Sequence, residues 1–324
     1  MSNHAQSSDS PVKSIYYLIA GVTVFSLQDV IIKWISGKYP VNEIVWIRSC
    51  IALIPILVIA HLEGGVHLLR TTNLWGHIIR SFFMFCAYIC FYLSLAALPL
   101  AETVSLFFSA PIFITILSAI FLGEKVEIRS WIGVLVGFLG VIIMLRPGFK
   151  MIDPAALLAI LTAFLYAIAS IITRRLGRTE NGVSMAFYLT VAYIIFSTIF
   201  TIALNNIAVT QTIHPSFNFL IREWRLPSQG DLFLFTIIGL IAAAGFYFLS
   251  QAYRLAQPSS IASFEYIAVP LSVIWGYLFF KDTLEFQSVA GMILIVASGL
   301  YIFGSTKGLT NKYMLSIFKT KIRR

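Results

Sequence analysis

Charged residues are scarce in this sequence, and long polar segments are absent from it. Only 11% of its 324 residues are charged, whereas soluble domains are about one quarter charged. A water-soluble globular enzyme is therefore excluded, and no polar block is long enough to form a separate soluble domain. With 59% hydrophobic residues and a mean hydropathy of +0.88, the composition is typical of a polytopic helical membrane protein.

The sequence also has few residues that commonly carry chemistry. Its 3 cysteines fall inside apolar segments without the paired spacing of a zinc or redox site. Its 5 histidines form no ligand pattern with carboxylates, and there is no glycine-lysine loop for nucleotide phosphates. We therefore expect no metal, no cofactor and no enzymatic activity. No nucleotide hydrolysis within this chain is indicated either.

Long apolar runs occupy most of the chain, and each can cross about 30 Å of hydrocarbon as a helix. Charges, prolines and turn residues divide these runs into ten predicted spans. The least secure boundaries are the short breaks at Pro99 and Pro258. The spans are 14–36, 43–62, 74–98, 100–122, 129–146, 154–175, 183–204, 231–256, 258–280 and 287–304.

The basic residues predict the orientation of the spans. Most of the 23 lysines and arginines flank the side that holds the N-terminus, and basic residues are retained in the cytoplasm. Both termini are therefore predicted to be cytoplasmic. This asymmetry and a basic tail explain the net charge of +9, which gives no indication of nucleic-acid binding. The tail, 307–324, either lies on the membrane as an amphipathic helix or is solvated.

The two halves of the chain resemble each other when one is shifted by about 159 residues. Tyr88 and Tyr92 then align with Tyr247 and Gln251, and two prolines align with two others, Pro99 with Pro258 and Pro111 with Pro270. Five spans per copy is an odd number, so the second copy crosses the membrane in the opposite sense. This pattern predicts ten transmembrane helices in two inverted five-helix repeats. It is typical of transporters that work by alternating access.

Motifs spread over nearly the whole chain are similar to those of the drug/metabolite transporter superfamily, in its ten-helix EamA-type branch. Their order and spacing carry the resemblance. In the first half the motifs are Gln28-Asp29, Lys33-Trp34, Trp46-Ile47-Arg48, Ala97 to Glu102, Ser109-Ala110-Pro111, Phe121 to Lys125, Trp131-Ile132-Gly133, Gly137 and Gly140. In the second half they are Phe264-Glu265-Tyr266, Pro270 and Gly276. Lys281-Asp282 departs from the Gly-Glu pair that the family often repeats.

The resemblance implies a bacterial inner-membrane carrier of small metabolites with a central cavity between two EamA-like repeats. The repeats would be 1–150 and 151–306, and the basic tail would follow. Membrane lipids are the expected surroundings, and a homodimer is one option. The alternatives are a carrier of phosphorylated sugars or nucleotide sugars, and a membrane sensor that does not transport.

Charges inside predicted spans need a reason, because burying a charge in hydrocarbon is unfavourable. Asp29 and Lys33 share one face of the first span, and Arg48 lies at a similar depth in the second. An Asp29–Arg48 or Asp29–Lys33 pair is possible, and it would form an outer gate or leave Asp29 as a proton-coupled carboxylate. The alternative is a permanent ion pair that fastens the first two spans together.

Further candidates line a predicted cavity near the middle of the membrane. Glu265 lies roughly 10 Å inside the ninth span and would bind a cationic amine or a proton, or pair with Arg254. Aromatic and polar residues at equivalent positions of the repeats would bind substrate, favouring amino acids, related zwitterions or organic cations. Pro111 and Pro270 are predicted hinges. The predicted substrate-binding residues are Tyr88, Tyr92, Tyr247, Gln251, Glu265 and Tyr266, with Tyr166 and Ser170 as weaker candidates.

Overall fold

The computed structural model describes the chain over 11–123, 126, 128–145, 154–205, 214–256 and 261–281, and at 286, 289–291, 293–294, 297–298 and 301. The break predicted at Pro258 and the tail 307–324 lie outside the described residues, and so does much of the predicted tenth span. The statements below concern the described residues.

Helices account for the fold throughout the described residues. Two short 3₁₀ segments, Val66–Leu69 and Ala262–Ile267, and a π-helical turn, Gly276–Phe280, supplement the α-helices. In chain order the helices are α1 Pro11–Ile35, α2 Val41–Glu63, α3 Leu74–Ala97, α4 Leu100–Phe107, α5 Ala110–Leu122, α6 Ile128–Leu145, α7 Pro154–Leu176, α8 Gly182–Asn205, α9 Pro215–Ile221, α10 Gln229–Leu255 and α11 Ala268–Trp275.

Seven segments of the described chain are helical, long enough and apolar enough to cross a membrane. They agree with seven of the ten predicted spans, and α4 and α5 together form the fourth of them. The fifth and ninth predicted spans contain shorter apolar stretches, Trp131–Gly140 and Phe264–Phe280. A multi-pass membrane protein is therefore established, while the count of ten remains a prediction.

Prolines mark the ends of helices where the sequence suggested it. α3 ends at Ala97, and Pro99 occupies the N-cap position of α4, so the short break at this proline is confirmed. Proline lacks an N–H group and clashes with the preceding turn, which explains the end of α3.

Gly123 ends α5 with a left-handed φ of 65°. Lys281 ends the π-helical turn in the same way, with a φ of 56°.

The predicted fourth and ninth spans are not continuous α-helices. The fourth is interrupted at Phe108 and Ser109, just before Pro111 in the first turn of α5. The described part of the ninth contains the 3₁₀ segment, continues as α11 with Pro270 near its start, and ends in the π-helical turn. Non-helical backbone at membrane depth is tolerated where protein surrounds it or where it lines a cavity.

The long helices pack in pairs from opposite halves of the chain. α1 lies along α10, α3 along α7, and α2 along α8. α10 also packs on α2, and α3 on α8. Their buried apolar side chains form one large cluster that includes Phe85, Tyr193 and Phe246.

The bundle has two ends, which we name after residues that lie there. The Asp231 end contains the α1–α2 and α3–α4 connections and the start of α10, where Asp231 accepts hydrogen bonds from Lys38 and Tyr39. The Arg80 end contains the start of α3, the α7–α8 connection and the end of α10, which Arg80 contacts through Ser250. Helices α1 and α7 run in opposite directions between these ends.

Two short helices were not predicted from the sequence. α9 covers the Asp231 end, where the Ser216 hydroxyl donates a hydrogen bond of 2.6 Å to the carbonyl of Leu93 in α3. Seven residues are too few for a span, so an apolar-run analysis treats this segment as a loop. The second is the 3₁₀ segment after α2.

Large apolar side chains cover the outside of the bundle. Leu62, Trp75 and Phe233 are each at least two-thirds exposed, on three different helices. An apolar exterior around a polar-containing interior suits a hydrocarbon environment and not water.

Candidate functional site

A cavity of about 150 Å³ lies between α1, α3, α4, α7, α10 and the 3₁₀ segment of the predicted ninth span. Most of its lining is aromatic or aliphatic, and two carboxyl groups, Asp29 and Glu265, reach it. None of the described lining residues is a lysine, an arginine or a histidine. An apolar cavity with a few polar groups is the usual form of a small-molecule site.

Asp29 belongs to a chain of hydrogen bonds that crosses from α1 to α3 and α2. The Tyr92 hydroxyl donates to Asp29 Oδ1 at 2.6 Å, and it accepts from Gln28 Nε2 at 3.0 Å. Gln28 Oε1 in turn accepts from Arg48 Nη1 at 3.2 Å. Arg48 is thus connected to Asp29 through an amide and a phenol, without direct contact.

Arg48 lies in a box of aromatic rings and is completely buried. Its guanidinium carbon is 4.0 Å from the centre of the Tyr88 ring, 5.4 Å from that of Tyr193 and 5.2 Å from that of Phe246. The rings attract the cation through their negative faces. Nε and Nη2 have no hydrogen-bond partner among the described residues.

Glu265 projects from the 3₁₀ segment and is 3% exposed. Its Oε1 accepts hydrogen bonds from the Tyr166 hydroxyl at 2.6 Å and the Tyr253 hydroxyl at 2.7 Å. Its Oε2 has no partner in the described part of the chain. The predicted alternative partner, Arg254, instead donates to Gln251 Oε1. One carboxylate oxygen is therefore satisfied and the other is available to a proton or a cation.

The predicted substrate residues divide into two groups. Tyr88, Tyr92 and Glu265 line the cavity together with Asp29. Tyr247, Gln251 and Tyr266 do not line it. Tyr247 bonds to Glu63 and accepts from Gln251 near the Arg80 end. Tyr266 stacks on Phe108, with ring centres 5.1 Å apart.

Lys33 lies outside the cavity, although it shares a helix with Asp29. Its ammonium group donates to the backbone carbonyls of Leu95 and Leu98 at the end of α3. The ion pairs found among the described residues are Lys38–Asp231 and His77–Glu180. Two pairs were considered from the sequence, Asp29–Lys33 and Asp29–Arg48. In neither does a side-chain nitrogen lie within 4.0 Å of a carboxylate oxygen.

A second cluster of polar groups ties the Asp231 end together. Asp231 Oδ2 accepts from Tyr39 at 2.9 Å and from Ser228 at 2.8 Å, and Lys38 lies 3.1 Å from Oδ1. Burial raises the pKa of the Tyr39 phenol, and its hydrogen bond to Asp231 raises that pKa further. Tyr39 therefore remains a hydrogen-bond donor well above neutral pH.

Sequence reasoning missed several residues of this region. Arg80 was not among the predicted site residues, although its side chain is buried. A signal was available, because Arg80, Met84, Tyr88 and Tyr92 recur every four residues and share one face of α3. Tyr253 was overlooked because nothing in its local sequence distinguishes it from a packing tyrosine.

These observations define a class: a polytopic helical membrane protein with a carboxyl-bearing internal cavity of ligand size. Comparison with known families agrees with this description. The sequence model of the EamA-like transporter family matches residues 12–146 and 153–304. The chain belongs to this family, as its resemblance to the drug/metabolite transporters predicted, and it is a multi-pass membrane protein.

Several curated relatives are similar over nearly their whole length. An S-adenosylmethionine uptake transporter of Rickettsia prowazekii (strain Madrid E) is 25% identical, covering 91% of this chain and 94% of its own. A riboflavin transporter of Rhizobium johnstonii is 28% identical, covering 92% of each chain. A pseudopaline exporter of Pseudomonas aeruginosa (strain PAO1) is 26% identical, covering 88% and 93%. These relatives are transporters of small metabolites.

A solved crystal structure of another protein has the same fold. It superposes with a TM-score of 0.71, covering 93% of this chain and 99% of its own, at 18% sequence identity. At this identity the likeness concerns the fold alone.

Proposed function

We propose that this protein is a secondary transporter of small metabolites across the bacterial inner membrane, and that the central cavity is its binding site. Its preferred substrates are organic cations, amino acids or related zwitterions. The observation that carries this preference is the pair of carboxyl groups, Asp29 and Glu265, in a cavity whose described lining contains no basic side chain.

Aromatic rings support the preference for a cationic group. Tyr88, Phe91, Phe107, Tyr166 and Phe246 all line the cavity, and aromatic faces attract ammonium and related cations most strongly where water is excluded. A substrate amine would pair with a carboxylate, while its apolar part would pack on the rings.

The same lining argues against phosphorylated sugars and nucleotide sugars. Such anions are usually recognised by arginine or lysine, and the two central arginines are held away from the cavity. Arg48 does not line it, and Arg80 hydrogen-bonds to neighbouring helices. A sensor or an enzyme is a weaker proposal, because the similar curated proteins are named as transporters.

The relatives leave the particular solute and the direction of transport open. They include uptake carriers and an exporter, and their named solutes differ widely in structure. The substrate class proposed here therefore rests on the cavity of this chain and not on kinship.

Alternating access between two inverted repeats, 1–150 and 151–306, is part of the proposal. In the repeat, α1 corresponds to α7, α2 to α8 and α3 to α10. The α1–α10 contact therefore has the α7–α3 contact as its equivalent, and the α2–α10 contact has the α8–α3 contact. The left-handed helix ends at Gly123 and Lys281 are also equivalent positions. These correspondences support an internal two-fold relation in which the two ends of the bundle open in turn.

The Arg80 end is proposed to face the cytoplasm, with both chain termini on that side. The excess of basic residues near this end supports the orientation. The Asp231 end would then face the periplasm.

Transport is tested with purified protein in proteoliposomes, using uptake and counterflow of labelled amino acids, amines and sugar phosphates. The Glu265→Gln variant tests the site. Glu43→Gln is a matched control, because Glu43 is an equally buried carboxyl that does not line the cavity.

We expect saturable counterflow of one or more cationic or zwitterionic compounds, abolished by Glu265→Gln and retained in Glu43→Gln. Counterflow of sugar phosphates alone would contradict the substrate class. An absence of flux for every compound, with folded and inserted protein, would contradict the transport proposal.

A further inference from the structure

Arg80 is a buried cation that joins four helices. From α3, its Nε donates to Thr173 Oγ1 of α7 at 2.7 Å, and Nη1 donates to the Met185 carbonyl of α8 at 2.9 Å. Its Nη2 donates to Ser250 Oγ of α10 at 3.1 Å. The residue is 2% exposed, and every acceptor is an uncharged oxygen. No carboxylate among the described residues lies within ion-pair distance of it.

A small pocket separates Arg80 from Glu265. Arg80, Tyr166 and Tyr253 line this pocket, whose volume is about 10 Å³, close to the space that one water molecule needs. The two tyrosines donate their hydroxyl protons to Glu265 on the other side. The two tyrosines thus contact the buried carboxyl and line the same small pocket as the buried cation.

The small pocket continues the central cavity toward the Arg80 end. Met84, Tyr166, Phe246 and Leu249 line both spaces. Arg80 lines the small pocket and connects α3 to three other helices beside it. A solute that left the cavity through this pocket would have to displace the guanidinium group.

The buried position of Arg80 is only weakly stabilised by its surroundings. A buried guanidinium group without a carboxylate partner is unfavourable, and three bonds to neutral oxygens compensate only part of the lost hydration. An ionised Glu265 would attract the guanidinium group across the two tyrosines that contact it, and a cation bound to Glu265 would cancel this attraction. Occupancy of the cavity would then weaken closure at this end.

We propose that Arg80 is a movable plug that closes the central cavity at its end of the bundle, and that Glu265 holds it there across the Tyr166 and Tyr253 hydroxyls. The proposal rests on the proposed function, since it assigns the coupling between bound cation and opening. A fixed strut is the competing interpretation. If Arg80 is a fixed strut, its position depends on its three hydrogen bonds and not on the charge of Glu265.

The test measures access to the small pocket without any substrate. Ser170 lines this pocket and is buried, so a Ser170→Cys probe reports opening. The native Cys50, Cys86 and Cys90 are replaced by alanine. A membrane-impermeant maleimide is applied to inside-out and right-side-out vesicles, and the labelling rate is measured.

We expect slow labelling of the probe when only Ser170→Cys is present. Adding Arg80→Gln should raise the rate by about tenfold from the Arg80 end, the effect of roughly 1.4 kcal/mol. Glu265→Gln, which leaves the three bonds of Arg80 intact, should raise it in the same direction. The two substitutions combined should add little to Arg80→Gln alone, because they act on one step.

Arg174→Gln is the matched control. Arg174 also joins α7 to α10 at this end, through the Arg254 carbonyl at 3.0 Å, but does not line the pocket. Its labelling rate should equal that of the probe alone.

Unchanged labelling in Glu265→Gln would overturn the plug and favour the strut, and this variant decides the question even if Arg80→Gln fails to fold. Because labelling needs no substrate, it is independent of the transport assay. Faster labelling without transport of any compound would contradict the proposed function and leave the plug standing.

Discussion

Arg48 and Arg80 illustrate two ways of burying a guanidinium group in this protein. Arg48 is surrounded by three aromatic rings and bonds to one amide oxygen. Arg80 has no such box and bonds to three oxygens on three helices. Arg48 is connected to Asp29 through the Gln28 amide and the Tyr92 hydroxyl, and Arg80 lines a pocket with the two tyrosines that contact Glu265. Both carboxyl groups are therefore left open to a ligand.

The two tyrosines on Glu265 should affect substrate affinity. Tyr253→Phe removes one hydrogen bond to the carboxylate and preserves the ring, so the apparent affinity for a cationic substrate should change by about tenfold, given roughly 1.5 kcal/mol for a charged hydrogen bond. Counterflow at several substrate concentrations measures this change. Tyr188→Phe is the control, since its hydroxyl bonds to the Leu69 carbonyl away from the cavity. Equal affinities in the two variants would contradict a binding role for Glu265.

Asp29 should respond to the loss of its hydrogen-bond chain. Gln28→Leu disconnects Arg48 from Tyr92 while leaving the Tyr92–Asp29 bond in place. The Tyr92 hydroxyl loses a donor and the buried Arg48 guanidinium loses its acceptor, so we expect a loss of stability of roughly 1–3 kcal/mol and weaker substrate binding. Thermal unfolding in detergent and counterflow give the two readouts. Wild-type values in both assays would show that the chain is dispensable.

Local sequence predicted the cavity carboxyls but not their partners. Asp29 and Glu265 stand out because a carboxyl inside an apolar run requires a reason. Their partners Tyr92 and Tyr166 come from helices distant in sequence, and Tyr253 comes from the end of α10, 12 residues before Glu265. For Tyr247 and Gln251, position in the repeat suggested the cavity, whereas the structure places them in the Glu63 and Arg254 network near the Arg80 end.

At the scale of elements, the interrupted fourth and ninth spans differ from the continuous helices around them. Pro111 begins α5 after a two-residue gap, and Phe108 in that gap lines the cavity. Apolar length predicted both spans, but a hydropathy pattern contains no information on where the helix changes its winding. Proline positions supplied the only signal.

Pro111→Ala should affect movement more than binding. Alanine restores a backbone donor and allows α4 and α5 to join, so we expect a transport rate reduced by several-fold, on the order of 1 kcal/mol in the barrier, with equilibrium affinity maintained. Counterflow rates and binding measured by intrinsic fluorescence separate the two quantities. An equal loss in both would contradict the hinge role of Pro111, and Pro55→Ala within α2 provides the comparison.

The start of α10 gives a prediction on stability. Asp231→Ala removes acceptors for Tyr39, Ser228 and Lys38, and we expect a loss of roughly 1–3 kcal/mol. Lys38→Ala should lose only about 0–1 kcal/mol, because the Lys38 side chain is 58% exposed. Thermal unfolding of the purified variants measures both losses. The two losses would be equal if the ion pair, and not the Tyr39 and Ser228 hydrogen bonds, held this end, because both substitutions remove the ion pair.

At the scale of the whole molecule, orientation is the prediction with the most direct test. Gly37 is exposed in the α1–α2 connection, with nothing within 4 Å of an added Cβ atom, and Thr72 is exposed in the α2–α3 connection. With the native cysteines removed, Gly37→Cys should react with an impermeant maleimide in intact spheroplasts. Thr72→Cys should react only after lysis. The opposite result would invert the topology.

The overall architecture followed from the sequence to a large extent. Seven predicted spans have helical counterparts that can cross a membrane, because twenty apolar residues have few other stable conformations in lipid. Pairing between the halves, such as α1 with α10, did not follow from apolar length. The faces of a membrane helix that contact lipid and those that contact other helices have similar compositions. The repeat gave an indication of it.

The aromatic box of Arg48 has a consequence for biogenesis. One ring, Tyr88, belongs to the first half of the chain, and the other two, Tyr193 and Phe246, belong to the second. During co-translational insertion, α2 is therefore synthesised about 200 residues before the last ring of the box, Phe246. Until α8 and α10 are made, we expect Arg48 to stay hydrated or close to the lipid headgroups. Its final environment requires the synthesis of both halves of the chain.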